Sequence, residues 1–186
     1  TRWFYAINFK KKMKISISKI IIFSFVIFFL FVFWQGLKIN NNYDTKNLIG
    51  QKISNFRLAE INNNKQYISE EDLKKNKYTL INFFASWCAP CRAEHKYLLN
   101  LSNKKKEIKI IGINFKDKKK NATDFLKELG NPYNFVGQDT EGKISILFGI
   151  YGIPESVLID SDLIVIKKIV GPIDQIQYDG ILKLTQ

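Results

Sequence analysis

The chain contains two cysteines, Cys88 and Cys91, and both lie in one Cys-X-X-Cys motif. The apolar residues 78–85 before the motif have the length and composition of a buried strand, and residues 92–101 after it are typical of a helix. This order places the first thiol at a helix N-terminus, where free N–H groups and the helix dipole favour the thiolate. Because the thiolate is the form that attacks disulfides, the motif predicts a redox-active dithiol.

A structural staple and a metal site are two other uses of a cysteine pair. A disulfide between cysteines so close in sequence closes a loop too short to stabilise a whole domain. Structural zinc requires four ligands, and His95 is the only histidine in the chain. The residues therefore favour a redox pair, and we expect no metal.

The charge balance is strongly basic, with 29 Lys and Arg against 17 Asp and Glu and a formal net charge of +12. Nucleic-acid-binding surfaces interleave arginine with aromatic residues on one face. Here the cations of the domain are nearly all lysine, and the densest groups are residues 104–106 and 116–120. This pattern indicates a solvated surface, and we expect no nucleic-acid partner.

An apolar segment near the N-terminus predicts a transmembrane anchor over residues 15–37. Residues 15–34 extend for about 30 Å as a helix, which matches the hydrocarbon core of a bilayer. Lys19 lies near the end of this segment, where its ammonium can reach the interface. The segment does not end in the small-X-small site of a cleaved signal peptide, so we expect the anchor to be retained.

The flanking charges predict the orientation of this anchor. The first 19 residues, before the apolar run that starts at Ile20, carry six cations and no acid, namely Arg2, Lys10, Lys11, Lys12, Lys14 and Lys19. The positive-inside rule then places residues 1–14 in the cytoplasm and the domain in the periplasm. The anchor is expected to cross the bacterial inner membrane once. The only methionine, Met13, precedes the segment directly, so residues 1–12 are expected to be upstream sequence.

A polar linker is predicted at residues 38–47 and one domain at residues 48–186. The patterns predict a mixed sheet, parallel in its first half, with helices on both faces. The predicted elements, in order, are a strand pair at 56–58 and 65–67, a capped helix at 69–72, strands at 78–85 and 108–115, a helix at 121–129, a short strand at 134–136, a helical turn at 144–148, a hairpin of 156–160 with 163–170, and a helix at 174–184 interrupted by Gly180.

The motif assigns roles to the residues around it. Cys88 is expected to be the attacking thiol with an exposed sulfur, and Cys91 the buried resolving thiol on the same helix face. Pro90 fits the first helical turn, where a missing N–H has no consequence. Trp87 is expected to cover the dithiol, although a plain core aromatic is the alternative.

Pro154 stands at the entry to a predicted strand, after Gly152 and Ile153. A rigid turn would account for it. The Cys-X-X-Cys motif favours a second interpretation, a cis-proline packed against the dithiol. That proline would expose the backbone of Ile153 for strand-like pairing with a substrate peptide.

Two carboxyl groups are candidates for the same site. Glu94 lies one helical turn beyond Cys91, where a carboxylate would raise the thiol pKa values and could transfer a proton. An exposed helix acid is the alternative for Glu94. Glu155, beside Pro154, is a candidate for substrate binding. Arg92 and His95 are expected at the surface.

Three stretches carry a resemblance to a known family: residues 82–95, 126–133 and 148–156. The Trp-Cys-Ala-Pro-Cys motif with a downstream proline resembles the thioredoxin superfamily. The longer stretches are similar to one branch, the membrane-anchored thiol:disulfide interchange proteins of cytochrome c maturation, the CcmG/DsbE group. The resemblance implies an α/β thioredoxin-like fold. Ordinary thioredoxins carry a buried Asp where this chain has Asn82, and Glu94 fits the active-site carboxylate of the anchored branch.

The resemblance also implies a reductant that needs no heme or other cofactor. Such proteins take electrons from a transmembrane thiol carrier of the CcdA or DsbD type. They reduce the heme-binding cysteines of apocytochrome c, directly or through a partner thiol protein. A general periplasmic reductant or oxidant remains an alternative, as does an anchored chaperone module without a redox role. Ala89 and Pro90 between the cysteines favour a reductant, because they offer no group that stabilises a thiolate.

Overall fold

A computed structural model describes residues 17–38, 48–53, 55–63 and 65–186. The predicted cytoplasmic segment 1–14, the predicted start of the anchor and most of the predicted linker lie outside the described residues. Helix α1 spans Ile17–Lys38. Its residues Ile17–Gly36, with a mean hydropathy of 2.5, are long and apolar enough to cross a membrane, as expected for the anchor.

The folded domain begins with a short antiparallel hairpin of β1 (Arg57–Ala59) and β2 (Tyr67–Ser69). The predicted hairpin starts one to two residues too early. The buried side chains of Leu58 and Ile68 lie opposite each other and fix the observed register. Helix α2 (Glu70–Leu73) follows directly, and the Ser69 N–H donates to Asp72 Oδ2 as the predicted cap requires.

Among the described residues, five strands form the main sheet in the order β5-β4-β3-β6-β7. The strands are β3 (Tyr78–Phe84), β4 (Ile108–Phe115), β5 (Phe135–Asp139), β6 (Glu155–Asp160) and β7 (Val165–Val170). Strands β3, β4 and β5 run parallel, whereas β6 and β7 join in antiparallel fashion. The predicted mixed sheet, parallel in its first half, is confirmed.

Helices cover the sheet, which buries two apolar clusters on opposite faces. Adjacent residues of β3 point to opposite sides, so Leu80 belongs to one cluster and Ile81 to the other. The first cluster receives side chains from α3 (Ala89–Lys104), α4 (Lys119–Leu129) and α6 (Gln175–Leu184). The second includes Leu73 of α2 and packs against Ile144 of α5 (Lys143–Leu147).

Strand β5 is longer than predicted, and helix α6 lacks the predicted interruption. Strand β5 continues to Asp139 because it pairs with β4 as far as Phe115. Helix α6 runs through Gly180 without interruption. A helical glycine costs only about 1 kcal/mol, and the buried side chains of Tyr178 and Ile181 hold the helix against the sheet.

Candidate active site

The two cysteines lie where strand β3 ends and helix α3 begins. Cys88 is the N-cap of α3, and the Cys91 N–H donates to its Sγ at 3.2 Å. The two residues form a disulfide. Cys88 is 5% exposed and Cys91 2%, so both residues are buried in this form, Cys88 slightly less than Cys91. Both cysteines are buried because they belong to the apolar cluster of Phe84 and Ala85.

Trp87 precedes the disulfide and is 60% exposed. A core aromatic, the alternative considered from the sequence, is therefore wrong. The indole lines an open cleft beside the motif, together with residues 116–118, 121 and 140. In this position the Trp87 ring is accessible to a docking partner and is not part of the protein core.

Glu94 lies on α3 one turn after Cys91 and is 1% exposed. Its Oε1 accepts a hydrogen bond from Asn82 Nδ2 at 2.8 Å, and its Oε2 accepts one from the Ile173 N–H at 2.7 Å. Burial raises the pKa of Glu94 to about 7, although both donors favour the carboxylate. The exposed helix acid is therefore wrong, and near neutral pH this group can accept or release a proton.

Asn82 connects the Glu94 carboxyl to two further buried groups. Its Nδ2 also donates to Ser156 Oγ at 3.0 Å, and its Oδ1 accepts from the Tyr133 hydroxyl at 2.7 Å. Burial, together with the nearby Glu94 carboxylate, raises the pKa of Tyr133 well above its usual range. The hydroxyl therefore stays protonated and keeps Asn82 oriented with its amide group toward Glu94.

Gly112 on β4 lets the Tyr133 ring approach the sheet. A Cβ at this position would lie 2.8 Å from Cγ and Cδ2 of that ring, which no real side chain tolerates. Sequence reasoning singles out neither Tyr133 nor Ser156 as a site residue. Both lie in the stretches 126–133 and 148–156 that carry the family resemblance, which is the signal that points to them.

Pro154 is buried, and the Ile153–Pro154 peptide bond is cis, as expected. Ile153 is half-buried and packs against the cluster that contains both cysteines. Within the part of the chain that the structure describes, neither the N–H nor the C=O of Ile153 has a hydrogen-bond partner. This backbone is therefore free to pair with an extended peptide.

Glu155 is placed differently from its predicted role in substrate binding. Its side chain is 3% exposed and lies 3.1 Å from the ammonium of Lys168. Its other carboxylate oxygen accepts from the N–H groups of Tyr151 and Gly152. The side chain thus faces its own loop.

Asp117, which the sequence patterns do not single out, holds the loop in front of Cys88. Its Oδ2 accepts from the Ser86 N–H at 2.7 Å and from Asn114 Nδ2 at 3.1 Å, and its Oδ1 accepts from the Lys118 N–H. Burial opposes ionisation, but these donors together hold the pKa of Asp117 below its usual range. The ionised carboxylate therefore fixes the loop that leads into the motif.

Arg92 and His95 have different environments. Arg92 is exposed, as expected, and pairs with Glu128 at 2.7 Å. His95 is buried, so its predicted surface position is wrong. Its Nε2 lies 2.8 Å from the Gly130 carbonyl oxygen, and its ring packs edge-on against Phe125. Burial lowers the pKa of His95, which favours the neutral imidazole.

Over the described residues, no group of three or more His, Cys, Asp or Glu side chains is arranged to hold a metal ion. The functional groups that the structure brings together are the disulfide, the buried Glu94 carboxyl and the Ile153 backbone. A dithiol at a helix N-terminus with a nearby proton acceptor is equipped for thiol–disulfide exchange.

Comparison with known proteins gives the same chemistry. The Redoxin family model matches residues 48–182. The chain is 37% identical over 158 residues to the thiol:disulfide interchange protein DsbE of Escherichia coli K12, covering 83% of both chains. It is 52% identical over 98 residues to the thiol:disulfide interchange protein CycY of Rhizobium leguminosarum, covering 53% of this chain and 52% of that relative.

Solved structures agree on the fold. The structure matches a crystal structure described as DsbE of Chlorobium tepidum with a TM-score of 0.63 and 25% identity, covering 73% of this chain and 93% of that one. A thioredoxin domain of a thiol-disulfide oxidoreductase from Bacteroides vulgatus matches with the same TM-score, 0.63, at 20% identity, covering 74% and 98%. The chain belongs to the Redoxin family and is a thioredoxin-like thiol:disulfide oxidoreductase of the DsbE, CycY and HelX group.

Proposed function

We propose that this protein is a periplasmic reductant of cytochrome c maturation, anchored in the bacterial inner membrane with its N-terminus in the cytoplasm. It reduces the heme-binding cysteines of apocytochrome c, directly or through a partner thiol protein. A transmembrane carrier of the CcdA or DsbD type returns electrons to Cys88 and Cys91. The apolar helix α1 and the similarity to thiol:disulfide interchange proteins support this proposal.

The observation that carries the direction of electron flow is the buried carboxyl of Glu94, one turn from Cys91. A carboxylate destabilises a neighbouring thiolate and raises its pKa. Ala89 and Pro90 between the cysteines add no cationic group that would oppose this effect. Strong oxidants of this kind owe their potential to a strongly stabilised reduced form. A dithiol whose thiolate gains nothing beyond the helix N-terminus, and faces a carboxylate, gives up its electrons more readily.

The reduced protein acts in two displacements. The Cys88 thiolate attacks one sulfur of the partner disulfide, which forms a mixed disulfide and releases one partner thiolate. Glu94 accepts the proton of the Cys91 thiol, and the Cys91 thiolate then attacks Cys88 Sγ. This step releases the second partner thiolate and closes the Cys88–Cys91 disulfide. Two electrons pass to the partner, whose two thiolates take up the protons.

Asn82 and Glu94 have different roles in the buried network. The amide of Asn82 cannot change its charge, so it serves as an oriented donor to Glu94. The carboxyl of Glu94 is the group in this network that changes its protonation state near neutral pH. Proton transfer in this protein is therefore assigned to helix α3 rather than to strand β3.

Trapping the partner tests this function. The Cys91→Ala variant of the full chain, expressed in its own or a related cell, cannot resolve the mixed disulfide on Cys88. Mass spectrometry of the adducts is expected to identify apocytochrome c or a cytochrome-maturation thiol protein. The control Cys88→Ala retains the buried thiol and should trap far less. A broad range of secreted proteins would instead indicate a general reductant or oxidant, and no adduct at all would favour the chaperone module.

The orientation is tested separately. Protease added to intact spheroplasts is expected to digest the domain that contains Cys88, because a periplasmic domain is accessible from outside. A domain that is digested only after lysis would contradict the proposed placement.

A further inference from the structure

A buried ion pair lies directly behind the loop that ends at Pro154. The ammonium of Lys168 on β7 lies 3.1 Å from the Glu155 carboxylate on β6, and both side chains are 3% exposed. The register places Lys168 opposite Val157, two residues along β6 from Glu155. Charged side chains are rarely buried to this extent, so a specific use for the pair is expected.

Both members of the pair are bound to one short segment, residues 149–152. Glu155 Oε1 accepts from the Tyr151 N–H at 3.1 Å and from the Gly152 N–H at 3.0 Å. Lys168 Nζ donates to the Gly149 carbonyl oxygen. The carboxylate thus holds the end of the segment and the ammonium holds its beginning.

The Tyr151 ring completes the arrangement on the solvent side. Its centroid lies 5.5 Å from Lys168 Nζ, within the range of a cation–π contact. The ring is itself largely exposed, so it covers the ammonium while remaining at the surface. The segment is therefore held by charge-assisted hydrogen bonds from behind and by an aromatic ring in front.

A buried ion pair is a weak source of stability, because the loss of hydration offsets most of the attraction between the charges. The pair can instead fix the local conformation, since charged groups hold the backbone N–H and C=O groups they bind in one geometry. The next residue after this segment is Ile153, whose backbone has no hydrogen-bond partner within the described residues. A shift of the segment would move this free backbone relative to Cys88.

We propose that Glu155 and Lys168 are positioning residues, which hold residues 149–152 so that Ile153 meets a partner peptide at the distance that the Cys88 thiolate requires. This inference rests on the proposed reduction of protein disulfides. It assigns the pair to docking of the partner chain and not to the reactivity of the dithiol. Glu155 therefore acts through the loop and makes no contact with substrate.

Two disulfide substrates separate these roles. A short extended peptide with a Cys-X-X-Cys disulfide can pair with the Ile153 backbone, whereas hydroxyethyl disulfide has no peptide group and cannot. Rate constants are measured with the reduced full chain in detergent micelles. We expect Lys168→Met to slow reduction of the peptide by at least about tenfold and to leave hydroxyethyl disulfide within about twofold of wild type, because small misplacements of a bound substrate have large effects on rate.

A double variant and a neighbouring control sharpen the comparison. Glu155→Gln combined with Lys168→Met removes both charges but keeps an oxygen that can accept from Tyr151 and Gly152. It is expected to recover part of the lost peptide rate, and it provides the test if Lys168→Met alone does not fold. The control Lys167→Met changes the adjacent residue of β7, on the other face of the strand. It should leave both rate constants unchanged.

Several outcomes would overturn the inference. Equal slowing with both disulfides would mean that the pair acts on the dithiol or on the fold, and unchanged rates in both variants would mean that the loop does not depend on it. Failure of the proposed function looks different, because wild-type protein would then fail to reduce the peptide. In that case amide hydrogen exchange tests the positioning role. Faster exchange at the Tyr151 and Gly152 amides of the variants than in wild type would support it, and unchanged exchange would refute it.

Discussion

Replacing Glu94 by Gln should change how the stability of the oxidised protein depends on pH. The pKa of Glu94 is raised from 4.5 to about 7 by burial. At 1.36 kcal/mol per pKa unit, this difference corresponds to about 3 kcal/mol between the two protonation states. The disulfide form is the one to use, because its cysteines do not titrate.

The sign follows from proton binding. Between pH 4.5 and 7 the folded protein holds a proton on Glu94 that the unfolded chain has released. The contribution of Glu94 to folding stability is therefore intact below pH 4.5 and is lost as the pH rises through about 7. Glu94→Gln cannot titrate, so the variant should gain about 3 kcal/mol relative to wild type over this range, on top of a constant offset.

Urea unfolding of the full chain in a nonionic detergent, followed by circular dichroism at several pH values, measures this difference. The constant offset arises because the Gln side chain has one NH2 in place of a carboxylate oxygen. That NH2 faces a donor, either Asn82 Nδ2 or the Ile173 N–H, from which the carboxylate accepted a hydrogen bond. This offset does not depend on pH. Titration of His95 occurs in both proteins and cancels. Glu128→Gln is the matched control on an exposed carboxyl and should not show the same gain. A difference between wild type and Glu94→Gln that stays flat, or falls with rising pH, would refute the assignment of a raised pKa to Glu94.

Two further substitutions test the parts that hold the site. Asp117→Asn should destabilise the oxidised protein by about 1–3 kcal/mol at neutral pH, because donors that now meet a carboxylate would meet one oxygen. Because the pKa of Asp117 lies below 3.8, this loss should shrink as the pH falls through and below that value, and urea unfolding that shows a loss independent of pH would contradict the account. Gly112→Ala should cost about 1–3 kcal/mol, because its methyl group displaces the Tyr133 ring from Asn82. The control Gly152→Ala, where nothing lies within 4 Å, should be close to neutral, and equal stability of the two variants in the same assay would show that Tyr133 adapts freely.

The sheet and the cysteine helix follow from the sequence because their signals are local. Strand β3 is mostly apolar on both faces over 7 residues, and β4 repeats this pattern over 8, so their burial is visible in the residues themselves. Periodicity also holds a signal for His95. Cys91, His95 and Leu98 are spaced by four and three residues, which places the imidazole on the buried face of α3.

The parts that could not be predicted depend on contacts between distant segments. Nothing near Asp117 in the sequence indicates that its carboxylate binds the backbone of Ser86, 31 residues earlier. Lys167 and Lys168 are equivalent by composition, and only the pairing of β7 with β6 decides which ammonium is buried. Spacing alone makes Glu94 a candidate, but local sequence does not reveal that its buried carboxyl accepts a hydrogen bond from the Ile173 N–H, 79 residues away.

Both cysteines of the disulfide are almost fully buried, and this burial affects which molecules can exchange electrons with the oxidised protein. Thiol–disulfide exchange requires a thiolate to approach one sulfur along the line of the bond, so its rate depends on access. A small thiol that meets the protein by random collision has little of either sulfur to attack. A partner that docks and directs its thiolate inward avoids this barrier. Burial of the oxidised cysteines thus favours docked partners over small thiols, so the rate of exchange adds a selectivity that the equilibrium potential alone does not provide.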